Sequence, residues 1–131
     1  MPVERLRPPG LYPAAPYHYV AVAPPGRLVI TAGACPLDDD GRTVAPGDVA
    51  AQAERAVANL LTALATAGAG PADVLKTTVY VATMDRSDLL RAWTVVRAAL
   101  GELDPPSTLL GVSVLGYPGQ LVEVEAVAAL P

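Results

Sequence analysis

The chain has 131 residues, a formal net charge of −4, 52% hydrophobic and only 17% charged side chains. This excludes a disordered chain and a second domain, and it predicts one soluble, cytoplasmic domain over residues 1–131, since no apolar run reaches the roughly 18 residues of a membrane span and the start Met-Pro-Val-Glu-Arg-Leu-Arg lacks the apolar stretch of a secretory signal. One cysteine and one histidine leave no internal disulfide and no ordinary zinc or iron site, and an acidic chain of pI near 4.7 offers no basic stripe for nucleic acid.

Residues 1–16 hold Pro2, Pro8, Pro9, Pro13 and Pro16. Proline fixes φ and removes a donor, so this stretch is expected as an extended arm. His18–Ala23 and Arg27–Thr31 are β-rich runs flanking Pro24-Pro25-Gly26, which predicts a hairpin. Asp38-Asp39-Asp40-Gly41 reads as a tight loop. From Val49 the period changes: Val49, Ala53, Val57, Leu60, Leu61 and Leu64 share one helical face, with Asp48 as N-cap and Gly68 and Gly70 as stops. Val74–Ala82 is β-branched and predicts a strand. Ser87 is the expected cap of a second helix, which turns Leu89, Trp93, Val96 and Leu100 inward and ends at Gly101. After the break at Asp104-Pro105-Pro106, two more strands are expected over 107–114 and 121–128, separated by Gly116-Tyr117-Pro118-Gly119.

The order β-β-α-β-α-β-β predicts an α+β fold with two helices on one face of a sheet. Apolar residues on both sides of several strands leave the other face in need of cover. High apolar content with few aromatics points the same way, to a homo-oligomer.

Several residues carry a chemical reading beside an ordinary one. The aspartate run could suggest calcium, but a calcium loop starting at Asp38 would place its terminal glutamate position on Val49, so a solvated turn is expected. Cys35 could be a nucleophile only with His18, across the expected hairpin; a small buried core residue is the ordinary reading, and His18 is read as a strand residue. No glycine-rich phosphate loop is present, and Gly111 and Gly116 read as a bulge or a close backbone approach. In Leu121-Val-Glu-Val-Glu-Ala-Val127, alternation puts Glu123 and Glu125 on one face. They are either a solvent-facing acidic stripe or carboxylates held over a cleft, where one could position or deprotonate water.

Four stretches together resemble the RidA/YjgF family of enamine/imine deaminases: Ala15-Pro16-Tyr17, Leu28–Pro36 with Gly41 and Val44, Asp73–Val81, and Leu121–Ala128. The resemblance implies a chorismate-mutase-like fold and a homotrimer with clefts between subunits. It also implies hydrolysis of reactive 2-imino or 2-enamino acids to 2-oxo acids and ammonia, on a small-molecule substrate, with no cofactor or metal. It assigns Glu123 the role of orienting the attacking water. Tyr17 and Gly33 match cleft-lining positions, and the backbone near Gly33 and Leu109 would polarise the substrate.

One departure bears on the substrate. Where the imine deaminases carry an arginine that grips the substrate carboxylate, this chain has Ser107 within Pro105-Pro106-Ser107-Thr108-Leu109, and no arginine follows Pro105. Serine in place of a bidentate ionic clamp would cost about 2–3 kcal/mol of binding. Ala32-Gly33-Ala34 also replaces more polar family residues. Arg91, on the second helix, either compensates for the lost charge or is an exposed helix arginine. The expectation is therefore a divergent imine or enamine hydrolase with Glu123 catalytic and Tyr17, Gly33, Arg91, Ser107, Thr108 and Leu109 binding a substrate without the standard 2-carboxylate, in specialised metabolism. The alternative is a non-catalytic ligand-binding trimer. Chorismate-mutase chemistry fits worse, because a dianionic substrate wants several arginines. Ribonuclease roles known for some relatives fit poorly with the acidic pI.

Overall fold

The computed structural model describes residues 3–131. Proline-free Val3–Arg7 gives the arm one strand, β1 (Glu4–Leu6), which pairs antiparallel with β2 (Val20–Val22). Arg5 fastens this ribbon to the body by donating to the carbonyls of Ala72 and Val74 at 3.1 and 2.9 Å.

The expected hairpin across Pro24-Pro25-Gly26 does not form. β2 stays with β1, and β3 (Arg27–Ile30) enters a second sheet, antiparallel to β6 (Val122–Leu130). Two successive prolines supply no N–H for a tight turn. Gly26 takes φ +153° and lies so close to β6 that a Cβ there would stand 2.0 Å from the Leu130 carbonyl oxygen. The turn is shaped to reach β6, not to fold back on β2.

The main sheet has the order β3-β6-β4-β5, with β4 at Val74–Ala82 and β5 at Ser107–Val112. β4 and β5 run parallel, so they need a crossover, which α2 (Arg86–Ala99) supplies. α1 (Val49–Thr66) connects β3 towards β4 by way of a short 3₁₀ turn at Pro71–Asp73. Asp48 caps α1 as its sequence predicts, accepting from the Ala51 N–H at 3.0 Å. For α2 the cap is Asp85 rather than Ser87: Asp85 accepts from the Ser87 N–H at 2.8 Å, and the helix starts two residues earlier. Aspartate and serine are both strong caps, so the sequence alone does not rank them. β5 stops at Val112 instead of reaching Val114.

Both helices pack on one face of the sheet. Ala53, Val57, Leu60 and Leu64 of α1 and Ala92 and Val96 of α2 share a core with Val79, Val81, Val122 and Val124. The opposite face has no helix. It carries Glu123 and Glu125 of β6, Lys76, Thr78 and Tyr80 of β4, and the apolar side chains Leu28 and Ile30 of β3, which are 61% and 75% exposed. This α+β architecture with two helices over a sheet matches the fold class read from the sequence.

Gly26→Ala is expected to lower unfolding stability by about 2 kcal/mol or more, because the clash is with ladder backbone and not with a flexible side chain. A urea midpoint that stays at the wild-type value would contradict this placement of the turn.

Candidate active site

Alternation along β6 buries Val122, Val124 and Ala126 and sends Glu123 to the helix-free face. There its carboxylate meets the loop after β3. Ala34 bridges to Val124, its N–H donating to the Val124 carbonyl at 2.7 Å. This brings Gly33 against Glu123: a Cβ at position 33 would stand 2.0 Å from Glu123 Oε2 and 2.6 Å from the carboxyl carbon. Any side chain at position 33 would push the Glu123 carboxylate out of this position. Cys35 Sγ and Gln120 Nε2 both donate to Glu123 Oε1, at 3.4 and 3.0 Å. Among the described residues, Oε2 has no hydrogen-bond partner, so one oxygen is fixed and the other is left for a ligand or water.

Each of these partners is itself held. Gln120 is buried, donates to the Val122 carbonyl and accepts from the Tyr117 N–H. Buried Gln52 of α1 accepts from the Leu121 N–H at 2.8 Å and donates to the Gly119 carbonyl. Asn59 of α1 donates to the carbonyls of Cys35 and Leu37, and Arg55 donates to Leu37. The helix that covers the far face of the sheet thus fixes both loops of the Glu123 corner.

Tyr17, Ser107, Thr108 and Leu109 come together elsewhere, in an open cleft of about 560 Å³ between α2 and β5. Pro16, Arg86, Leu89, Leu90 and Trp93 complete its lining. Tyr17 stands edge-on to Tyr19 and to Trp93, with ring centroids 5.4 and 6.4 Å away. Its carbonyl and that of Ala15 accept from Arg7 at 2.8 and 2.7 Å. The next residue, His18, is not in β2; its N–H and Nδ1 both reach the Asp104 carbonyl, at 2.8 and 2.7 Å. With a carbonyl as acceptor, Nδ1 must carry the proton. The Asp104 carboxylate takes a two-pronged bond from Arg97, at 2.7 and 2.9 Å. That bond holds the Asp104 carboxyl below the usual range, against its partial burial. Asp104 is therefore the joint between the arm, α2 and the start of β5.

Gly33 and Glu123 share one corner, and Tyr17, Ser107, Thr108 and Leu109 share one cleft, but a single chain does not merge the two. Ser107 lies on the helix side, where its hydroxyl accepts from Thr77 at 2.7 Å, and Glu123 lies on the other face with β4 between them. Arg91 joins neither group. It pairs with Asp88 at 2.6 Å, donates to Ser87 and points away from the cleft, as an exposed helix arginine. Cys35 is not a buried core residue; it is half-buried beside Glu123. Burial, with the Glu123 charge added, pushes its thiol pKa up. The Asp38 loop is a turn closed by the Asp38 carboxylate, which accepts from the N–H groups of Asp40 and Arg42.

Some residues of these sites were not singled out from the sequence. Lys76 and Tyr80 lie on the Glu123 face; Lys76 donates to Thr108 at 2.8 Å, and Tyr80 donates to Glu125, which raises the phenol pKa. Their signal was present: alternation on β4 places both on the face opposite Thr77 and Val79. Arg86 and Gln120 gave no such signal. Arg86 was hidden by the choice of Ser87 as cap, and Gln120 sits in a loop.

The sequence and the fold are similar to those of known proteins. The family described as Endoribonuclease L-PSP matches residues 10–130. A RutC family protein of Pyrococcus abyssi is 33% identical over 103 residues, 79% of each chain. Among solved structures, YyfB of Yersinia pestis, described as a protein of unknown function of the conserved Rid family, superposes with a TM-score of 0.89 at 29% identity over 99% of this chain and 100% of that one. The YjgF product of Escherichia coli superposes with a TM-score of 0.67 at 28% identity, over 88% of this chain and 89% of that one. The chain belongs to the RidA/YjgF family. Among the described residues, no helix is long and apolar enough to cross a membrane.

Two outcomes are expected from this geometry. Alkylation of Cys35 by iodoacetamide follows a pH profile displaced above that of an ordinary thiol. Glu123→Gln removes the neighbouring charge and moves the midpoint down, with burial keeping part of the shift; an unmoved midpoint would separate thiol from carboxylate. Asp104 has a folded-state pKa below its unfolded value, so its contribution to stability is present above the ordinary carboxylate pKa and is lost as pH falls through the folded value. Asp104→Asn therefore lowers the urea midpoint at neutral pH, and the gap from wild type closes as the pH falls below the ordinary carboxylate range.

Proposed function

We propose that this protein is a divergent imine or enamine hydrolase of the RidA/YjgF family, working as a homotrimer. The observation that carries the reading is the Glu123 carboxylate, with Oε1 held by Gln120 and Cys35 and Oε2 unengaged over Gly33. Oε2 accepts a hydrogen bond from water and takes its proton as the water oxygen attacks the carbon of a C=N bond. Glu123 returns that proton to the nitrogen, which gives a neutral carbinolamine; it then takes the hydroxyl proton and passes it to the amino nitrogen, so that the C–N bond breaks, ammonia leaves and a carbonyl forms.

Assembly follows from the separation of the two half-sites. A second copy laid over the helix-free face would cover Leu28 and Ile30 and could bring its Tyr17–Ser107 cleft to the first copy's Glu123. Obligate interfaces bury exposed apolar side chains such as these two. The substrate is a small imine, enamine or related carbonyl adduct without the standard 2-carboxylate. Ser107 is engaged with Thr77 and offers at most one neutral hydrogen bond where a guanidinium fork would grip a carboxylate. An RNA substrate is disfavoured by the carboxylates of the open face.

Imines generated in situ test the reading. Wild type is expected to hydrolyse imines lacking a 2-carboxylate at least about tenfold more efficiently than 2-iminopropionate, from the missing charge-assisted bonds. Glu123→Ala is expected to lower kcat by roughly 10² or more. Light scattering is expected to give three protomers. Ready turnover of 2-iminopropionate would remove the substrate claim. No turnover of any imine, with a small molecule retained through purification, would make the protein a binding module instead.

A further inference from the structure

The Tyr17 cleft has a feature the hydrolase reading leaves unused. Arg86 lines it, and among the described residues its guanidinium has neither a hydrogen-bond nor an ion-pair partner. The other arginines near this end of the molecule are engaged: Arg97 with Asp104, Arg91 with Asp88, Arg7 with backbone carbonyls. Arg86 is also the first residue of α2. A cation there faces the positive end of the helix dipole, a position that disfavours it. The nearest capping carboxylate, Asp85, is turned to Ser87, from whose N–H and hydroxyl it accepts at 2.8 Å each.

On the α2 side the lining is apolar, with Leu89, Leu90 and Trp93 beside Tyr17, while Ser107 and Thr108 contribute the β5 side. Opposite runs β5, the last strand of the sheet, whose outer backbone groups have no ladder partner among the described residues. A volume of about 560 Å³ is in the range of sites for drug-sized ligands. An apolar wall with one unpaired guanidinium at its rim suits an amphipathic ligand.

We propose that this cleft binds a ligand with an aromatic or branched apolar body and a terminal anionic group, carboxylate or phosphate, and that Arg86 receives the anion. Anion recognition has moved from β5 to the start of α2. The charge therefore sits at the far end of the ligand body and not on the carbon next to the reacting one. The proposal rests on the hydrolase reading only for which end of the ligand reacts; the binding claim stands on the cleft itself.

Trp93 is the chain's single tryptophan, so its fluorescence reports on this cleft without any turnover. Full-length protein is titrated with phenylacetate, phenyl phosphate, phenylacetamide and acetate. Phenylacetate is expected to bind roughly tenfold or more tightly than its neutral amide, as charge-assisted bonds imply. Arg86→Gln is expected to erase that ratio while leaving the amide affinity in place. Arg86→Lys, which keeps the charge and loses the fork, gives an intermediate ratio, and Arg42→Gln, in the distant loop, retains the full one. Phenyl phosphate binding more tightly than phenylacetate, with the same Arg86 dependence, identifies the anion as phosphoryl; the reverse order identifies a carboxylate. The proposal is overturned if Arg86→Gln keeps the wild-type ratio, if acetate binds as well as phenylacetate, or if no arene perturbs Trp93. An Arg86-dependent ratio in a protein that hydrolyses no imine would sink the hydrolase reading alone. Imine turnover with an Arg86-independent ratio would sink this proposal alone.

Discussion

The seat of Glu123 depends on the two-residue repeat of a β-strand. Val122, Val124 and Ala126 enter the core beneath the helices, so Glu123 and Glu125 have to leave it on the other face. A carboxylate placed this way on a bare sheet would be free to turn. Here the loop after β3 crosses it with a glycine whose missing side chain makes room for the carboxyl group. Cys35 and Gln120 then fix one oxygen, and α1 fixes the loops that carry them. The orientation of one functional group is thus set by packing on the opposite side of the sheet.

The cleft at β5 has a separate support. The arm passes its Tyr17 over α2 only because the neighbouring backbone is tied to Asp104, and Asp104 is tied to Arg97. A charge-assisted two-pronged bond has the directionality to hold such a joint. The aromatic wall, the start of β5 and the end of α2 meet at that point. The Glu123 corner and the Tyr17 cleft are therefore built by different parts of the core, with Ser107 on the helix side of the sheet and Glu123 on the other.

The legibility of these features in the sequence tracks the range of the forces that make them. Both helices and strands β4 and β6 are periodic over many residues and were readable. The N-cap of α1 was readable because Asp48 is the strong capping residue directly before the period starts; at α2, Asp85 and Ser87 competed and the sequence did not separate them. β1 was missed because three residues between proline clusters carry too little pattern. The hairpin at Pro24-Pro25-Gly26 was wrong because Val20–Val22 and Arg27–Ile30 have strand propensity without information about which partner each will find.

The amino-acid order alone determined the two-faced character of β6, the placement of both helices, the absence of arginine beyond Pro105 and the family these imply. Those are local or compositional properties, set by side-chain period and residue type. Tertiary structure alone decided that Gly33 lies on Glu123, that Cys35 is its neighbour and not part of the core, that Arg91 is spent on Asp88, and that Arg86 stands unpaired in the cleft. Each of these is a contact or a vacancy between segments far apart in the chain, and a period of two or 3.6 residues holds no record of distance across a fold.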